Sequence, residues 1–217
     1  LYFDVNVNGT INILETMREY DCSKMVFASS SSVYGNNTKI PFSEDDNVDF
    51  PISPYAASKK AGELVCHTYN HLYGFDITCL RFFTVYGPRQ RPEMAIHQFA
   101  RNIFEGKPIN VFGDGSTKRD YTFIDDIIQG VTASIKNLSG YHIYNLGESK
   151  TIELINLINL IEKHVGKKAI INSQPEQPGD VKLTYSDVTK AHNELDYNPT
   201  TSMEEGIKKF VDWMRKN

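Results

Sequence analysis

Apolar residues recur along this 217-residue chain with two alternating periods. Val7, Ile11, Leu14 and Arg18 stand at helical spacing, which predicts a helix over residues 4–20 with Ile11, Leu14 and Met17 inward. The run "KMVFASS" that follows is short and largely apolar, the pattern of a buried strand. Ser53 and Pro54 then supply an N-cap and a first-turn proline for a long helix. That helix carries Ala57, Ala61, Leu64, Thr68 and Leu72 on one face. "DITCLRFF" predicts a second strand. Helix, strand, helix, strand is the order of a parallel α/β sheet with right-handed crossovers.

Beyond "VYGPRQRPEM" the pattern loosens. A helix is expected at 94–105, then short strands separated by turn residues through "INVFGDGSTKRDYTF". A helix starts near Asp125 with Ile127, Ile128, Val131 and Ile135 aligned, "YHIYNLG" reads as a strand, and 151–164 as a strongly apolar helix. Ser202 and Glu205 form a capping box opening a last helix that buries Met203, Ile207, Phe210 and Met214. The second half therefore reads as a smaller α+β lobe on the end of the sheet.

Composition narrows the class. A hydrophobic content of 40% supports a sizeable core, in one domain or in one large and one small. The net charge of −4 brings no basic excess, which argues against nucleic-acid or membrane-surface binding. Cys22, Cys66 and Cys79 are odd in number and lack paired spacing, so reduced, buried thiols of a cytoplasmic protein are expected. No signal-peptide pattern and no apolar run long enough to span a bilayer is found. The six histidines show no ligand spacing; His67, His71 and His97 fall on predicted helices as surface or packing residues, and no metal is expected.

Chemistry enters with Tyr55 and Lys59. Four residues apart at the start of a helix, they project from one face. An ammonium beside a phenol favours phenolate, and a tyrosine so tuned can take a proton from an alcohol near neutral pH. Ser30, at the carboxyl end of a strand, lies where ligands bind in open parallel sheets and can hold the reacting oxygen. Tyr–x–x–x–Lys by itself is more often an exposed helical pair; the strand-end serine and the later "LRFFTVYGPRQRP" are what favour a site.

Taken together, "NVNGTINILE", "SSSSVYG", "PYAASK", "LRFFTVYGP", "GDGSTKRDYTFIDD" and "YNLG" resemble, in order and across essentially the whole chain, the extended short-chain dehydrogenase/reductase family of nucleotide-sugar epimerases and dehydratases. The resemblance implies an α/β fold: a partial Rossmann-type parallel sheet within residues 1–88, to which later segments return, and a mainly substrate-binding lobe over 89–217. It implies NAD as cofactor, with Ser30, Tyr55 and Lys59 as the catalytic group, Tyr55 as base and Lys59 tuning it while holding the nicotinamide ribose. Val5 and Asn6 match a segment beside that ribose, and Phe83 a position after the next strand. The family's glycine-rich fingerprint is absent: Gly113 and Gly115 have no third glycine at the right spacing. About 90–100 residues of a doubly wound sheet are then expected to precede the chain, and the chain alone is expected to be inactive. A homodimer is implied through the helices at 4–20 and 54–73.

The sugar is read from positions where relatives differ. Dehydratases of the family carry an acid pair where Ser31 and Ser32 stand here, and decarboxylating relatives carry a glutamate in place of Ser32. Galactose-type epimerases have asparagine where this chain has Thr84. "VYGPRQRPEMA" and "QPGDV" are most similar to the UDP-glucuronate 4-epimerase group. A sugar carboxylate needs donors, and Ser31, Ser32, Thr84 and Arg91 offer three hydroxyls and a guanidinium. The competing reading of Arg91 is a loop arginine paired with a nearby acid. By the same resemblance Arg119 grips the diphosphate, Asn110 and Phe112 lie along the uridine, and Asp180 sits on a ribose-side loop. A UDP-glucose or UDP-N-acetylglucosamine 4-epimerase, or an inactive nucleotide-sugar-binding fragment, are the alternatives.

Overall fold

A computed structural model describes residues 1–176 and 181–216. Its centre is a sheet of three parallel strands in the order β1–β2–β7, formed by Lys24–Ser30, Asp76–Phe82 and Tyr141–Leu146. The register places Ser29 beside Arg81 and Arg81 beside Asn145, and the next row is Ser30, Phe82 and Leu146. Side chains alternate across the sheet. Phe27, Ile77 and Cys79 face α1 (Gly9–Glu19) and α2 (Pro54–Tyr73), meeting Leu14, Cys66 and Tyr69. Leu80, Tyr144 and Leu146 face the other way, onto α4 (Ile124–Lys136) and α6 (Thr189–Leu195).

The caps explain where α2 begins and ends. Ser53 Oγ accepts from the Ala56 amide at 3.1 Å, Pro54 occupies the first turn, and Gly74 ends α2 at φ +68°. That left-handed turn is one glycine takes without a Cβ penalty. The first predicted helix is correct in extent, but its first turn, Asp4–Asn8, is wound as a π-helix.

The second lobe packs α3 (Ala95–Glu105), α5 (Leu154–Val165) and α7 (Met203–Met214) into one apolar core with Phe99, Ile103, Leu157, Ile161, Ile207 and Phe210. Short strand pairs frame it. β3 (Thr84–Tyr86) runs parallel to β6 (Tyr121–Phe123), and β4 (Pro108–Phe112) parallel to β9 (Ile170–Gln174). β5 (Lys118–Arg119) is antiparallel to β8 (Ile152–Glu153). Ser202 caps α7 through the Glu205 amide, as its spacing predicts.

Three expectations need correction. The stripe of Leu64 and Leu72 is exposed, and α2 buries Ala56, Gly62, Glu63, Cys66 and Tyr69 instead. On α4, Ile128 and Ile135 are exposed while Asp126, Gly130 and Ser134 are buried. In both helices small or polar residues take the packed face, because the sheet lies too close for long side chains: a Cβ on Gly62 would meet the Phe27 ring at 2.4 Å, and one on Gly130 would meet Leu146 at 2.7 Å. Third, Cys66 and Cys79 are buried but Cys22 is exposed. Among the described residues no helix is long and apolar enough to cross a membrane.

Candidate active site

Tyr55 and Lys59 rise from the first two turns of α2, where the cap fixes the backbone. The Lys59 amine lies 5.9 Å from the Tyr55 ring centre and 5.5 Å from that of Phe27. It donates to the Ala28 carbonyl at 2.9 Å, which uses one of its three donors. Burial holds the Lys59 ammonium below its ordinary value. Asn6 reaches the same helix: its Nδ2 donates to Ser58 Oγ at 3.0 Å, and Ser58 Oγ donates to the Tyr55 carbonyl at 2.7 Å. Asn6 therefore sits within one short chain of bonds from the Tyr55 backbone. Tyr2 meets the Tyr55 ring edge-on at 5.6 Å.

The serine run forms the end of β1 and a 3-10 turn, Ser31–Tyr34. Ser30 is that turn's N-cap. Its Oγ accepts from the Ser32 amide at 3.2 Å and from Ser32 Oγ at 2.9 Å. With both lone pairs engaged, the Ser30 hydrogen is what remains for an incoming oxygen. Ser32, in turn, directs its own hydrogen at Ser30. Ser30, Ser31 and Ser32 line an open cavity of about 290 Å³ together with Ser53, Arg119 and Thr184. A second cavity of about 240 Å³ is lined by Asn110, Phe112 and, again, Arg119. Arg119 thus belongs to both.

Asp120 fixes the segment that presents Arg119. The carboxylate is fully buried and accepts from the amides of Glu148 (2.8 Å), Ser149 (3.2 Å) and Ser186 (3.1 Å), and from Ser186 Oγ (2.5 Å). Burial raises its proton affinity, against the pull of those donors. Gly147 allows the approach, since a Cβ there would meet Ser186 Oγ at 2.2 Å.

The profile of the family described as GDP-mannose 4,6-dehydratase matches residues 1–210. The chain belongs to this family. It is 48% identical over 218 residues to a UDP-glucuronate 4-epimerase of Thermodesulfobacterium geofontis, a match covering all of this chain and 67% of that protein. The crystal structure of a UDP-glucuronic acid 4-epimerase from Bacillus cereus, with UDP-glucuronic acid and NAD, superposes with a TM-score of 0.91 at 38% identity, over 97% of this chain and 67% of that one. A UDP-glucose 4-epimerase from Thermotoga maritima gives 0.92 at 31%, over 97% and 69%. The chain spans about two thirds of the length of these relatives.

Membership of this epimerase and dehydratase family bears out the Rossmann-type α/β expectation. The remaining site residues fall in varied places. Phe83 is buried against Tyr34 and Phe42, so its side chain is core and its backbone alone is left for a cofactor. Val5 is exposed. Thr84 opens β3, its amide donating to the Asp120 carbonyl at 3.2 Å, and lines neither cavity. Arg91 is 75% exposed and pairs with Glu93 at 3.4 Å, the arrangement of the competing loop reading. Asn110 is tied to Asn172, whose Nδ2 donates to its Oδ1 at 2.8 Å. Asp180 lies outside the described residues. The wall residues Ser53 and Thr184 went unread: the first looked like a cap alone, and the second comes from a stretch without periodicity.

Proposed function

We propose that the protein containing this chain is an NAD-dependent UDP-sugar 4-epimerase, acting on UDP-glucuronate to give UDP-galacturonate. The observation that carries the reading is Arg119 shared by two cavities, with serines in one and Asn110 and Phe112 in the other. A nucleoside diphosphate sugar has the same layout, with a charged bridge between a sugar and a flat base. A guanidinium there is suited to phosphate oxygens. The names of the relatives agree in kind.

The residues present fit the nicotinamide–ribose end of a dinucleotide. Lys59 has two donors beyond its Ala28 bond, suited to a ribose diol, and Asn6 reaches the catalytic helix through Ser58. NAD, when bound, supplies a hydride acceptor and donor at C4 of the sugar. Tyr55, with the Lys59 ammonium 5.9 Å from its ring centre, takes the 4-hydroxyl proton. Ser30 donates to the oxygen as it becomes a ketone, in the role of a positioned donor at developing charge. The 4-keto sugar rotates, Tyr55 returns the proton, and the opposite C4 face is reduced. Tyr55→Phe in the full-length protein should lower turnover by roughly 10²–10⁴-fold.

Glucuronate is favoured over glucose by the hydroxyl-rich cavity, and epimerisation over dehydration by what is missing from it. Where dehydratases of the family carry an acid pair, this chain has Ser31 and Ser32. Oxidation at C4 makes a β-keto acid, which loses CO₂ when its C5–C6 bond stands perpendicular to the ketone plane. Ser31, which lines the serine cavity, holds the carboxylate out of that geometry, with Ser32 acting through Ser30. Charge-assisted bonds of this kind contribute about 1.5–3 kcal/mol each, enough to bias a rotamer tenfold. Mass spectrometry of products from the full-length protein tests the substrate. UDP-galacturonate from UDP-glucuronate, with little UDP-pentose, is the expected result. Inertness to UDP-glucuronate with turnover of UDP-glucose would replace the substrate.

A further inference from the structure

One polar row crosses the sheet beneath the serine turn. Ser29, Arg81 and Asn145 are register neighbours on β1, β2 and β7, one residue before the row that holds Ser30. All three are buried, at 3%, 1% and 0% exposure. Glu63 comes down onto them from α2. It lies four residues after Lys59 and eight after Tyr55, on the same helical face. Its Oε1 accepts from Ser29 Oγ at 2.6 Å and Arg81 Nε at 2.9 Å, and its Oε2 from Arg81 Nη2 at 2.9 Å.

The row is closed from above by Tyr34, the last residue of the serine turn. Tyr34 OH accepts from Arg81 Nη1 at 3.0 Å and donates to Asn145 Oδ1 at 2.7 Å. The Arg81 guanidinium also lies 4.9 Å from the Tyr34 ring centre. Asn145 Nδ2 completes the set on the carbonyls of Phe42 (2.9 Å) and Asp187 (3.1 Å). The Tyr34 hydroxyl is therefore both donor and acceptor inside a closed network. Through Arg81 and Glu63 it is bonded to the helix that carries Tyr55 and Lys59.

We infer that Tyr34 is a positioning residue: its hydroxyl, through Arg81 and Glu63, sets the Ser31–Tyr34 turn against α2, and so sets Ser30 against Tyr55. The inference deepens the epimerase reading and rests on it for its kinetic consequence. The serine turn is short and its own bonds are local: Ser32 to Ser30, and the Gly35 amide to the Ser32 carbonyl at 3.2 Å. Neither fixes the turn relative to α2. The Tyr34–Arg81–Glu63 bonds do. Tyr34→Phe keeps the ring among Phe42 and Phe83, whose centres lie 5.0 and 6.3 Å away, and removes the hydroxyl with its bonds to Arg81 and Asn145.

Two measurements on the full-length protein test it. Amide hydrogen exchange should quicken at least tenfold at Ser32 and Gly35 in Tyr34→Phe, while Ile161 and Phe210 in the second lobe keep their rates. Unchanged exchange at Ser32, or equal acceleration everywhere, would overturn the inference. The second is a kinetic cycle with Ser30→Ala, read on whichever UDP-sugar the wild type epimerises. Tyr34→Phe should lower kcat about tenfold with KM within threefold, and less than twofold once Ser30 is already alanine. Multiplicative losses would mean that Tyr34 acts on stability rather than through Ser30. Failure of the wild type on UDP-glucuronate would instead count against the substrate reading, and leaves the exchange test to decide on Tyr34.

Discussion

The buried polar row and the core of the second lobe are both fully enclosed, yet they are built on opposite principles. Ser29, Glu63, Arg81, Asn145 and Tyr34 are joined by directional bonds. Phe99, Ile103, Leu157, Ile161, Ile207 and Phe210 are joined by contact alone. Hydrocarbon packing tolerates volume-conserving exchange, whereas a bonded row admits one arrangement or fails. The difference teaches where the molecule needs exactness of geometry: under the serine turn and α2, not under the lobe.

The sharpest way to break this contrast is to remove one member of the bonded row. Arg81→Leu leaves the buried Glu63 carboxylate with only Ser29 and, at 3.7 Å, Lys60, and should cost about 3–5 kcal/mol. Glu63→Leu with Arg81→Met should recover most of that loss in urea unfolding. A loss below about 1 kcal/mol for the single change would mean the row is ornamental. pH sharpens the point. Burial alone would raise the Glu63 carboxyl, but the bonds from Arg81 and Ser29 hold it below its ordinary value. Its folded-state affinity for the proton is thus lower than in the unfolded chain. The stabilisation is complete above the ordinary carboxylate range and is lost as pH falls through the depressed value. The stability gap between wild type and Glu63→Gln should be wide at pH 7 and close in acid.

Next in size is the lobe. Ile161→Ala should cost about 2–5 kcal/mol and Ile161→Val only about 0.5–1.5, a graded response that the bonded row should not show. A Cβ at Gly130 has no room beside Leu146 and Tyr197, so Gly130→Ala should cost about 1–3 kcal/mol by overpacking. Smallest is the cap: Ser202→Ala loses the bond to the Glu205 amide, about 1 kcal/mol. Thermal unfolding should rank Ile161→Ala, Gly130→Ala and Ser202→Ala in this order.

The contrast also explains what could be read in the sequence. "KMVFASS", "DITCLRFF" and the helices at 94–105 and 203–214 follow from apolar period, which is what hydrocarbon burial leaves behind. The polar row leaves no period. Arg81 interrupts "TCLRFF" and Asn145 interrupts "YNL" like accidents, and Glu63 looks like a solvent residue until its partners are seen. Small residues misled in a related way: Gly62 and Gly130 mark the packed faces of α2 and α4, while Leu64 and Ile128 draw the eye to the exposed ones. β9 and α6 were missed because "IINSQ" is exposed over most of its length and "TKAHNEL" buries only Ala191 and Leu195. Of the residues that the proposed function uses, Ser30, Tyr55, Lys59 and Arg119 were named through motif and resemblance. The supports of the site, Tyr34, Glu63, Arg81 and Asp120, were not.

The proposed chemistry moves one hydrogen off C4 and back to the same carbon without exchange with water. The most direct test is to give the full-length protein UDP-glucuronate carrying deuterium at C4 and to examine the UDP-galacturonate formed by NMR and mass spectrometry. Retention of the deuterium at C4, together with its disappearance from neither substrate nor product over many turnovers, is the predicted result, and Tyr55→Phe should form product at least a hundredfold more slowly. Washout of the label into solvent would contradict the account, because it would mean that C4 loses a proton rather than a hydride.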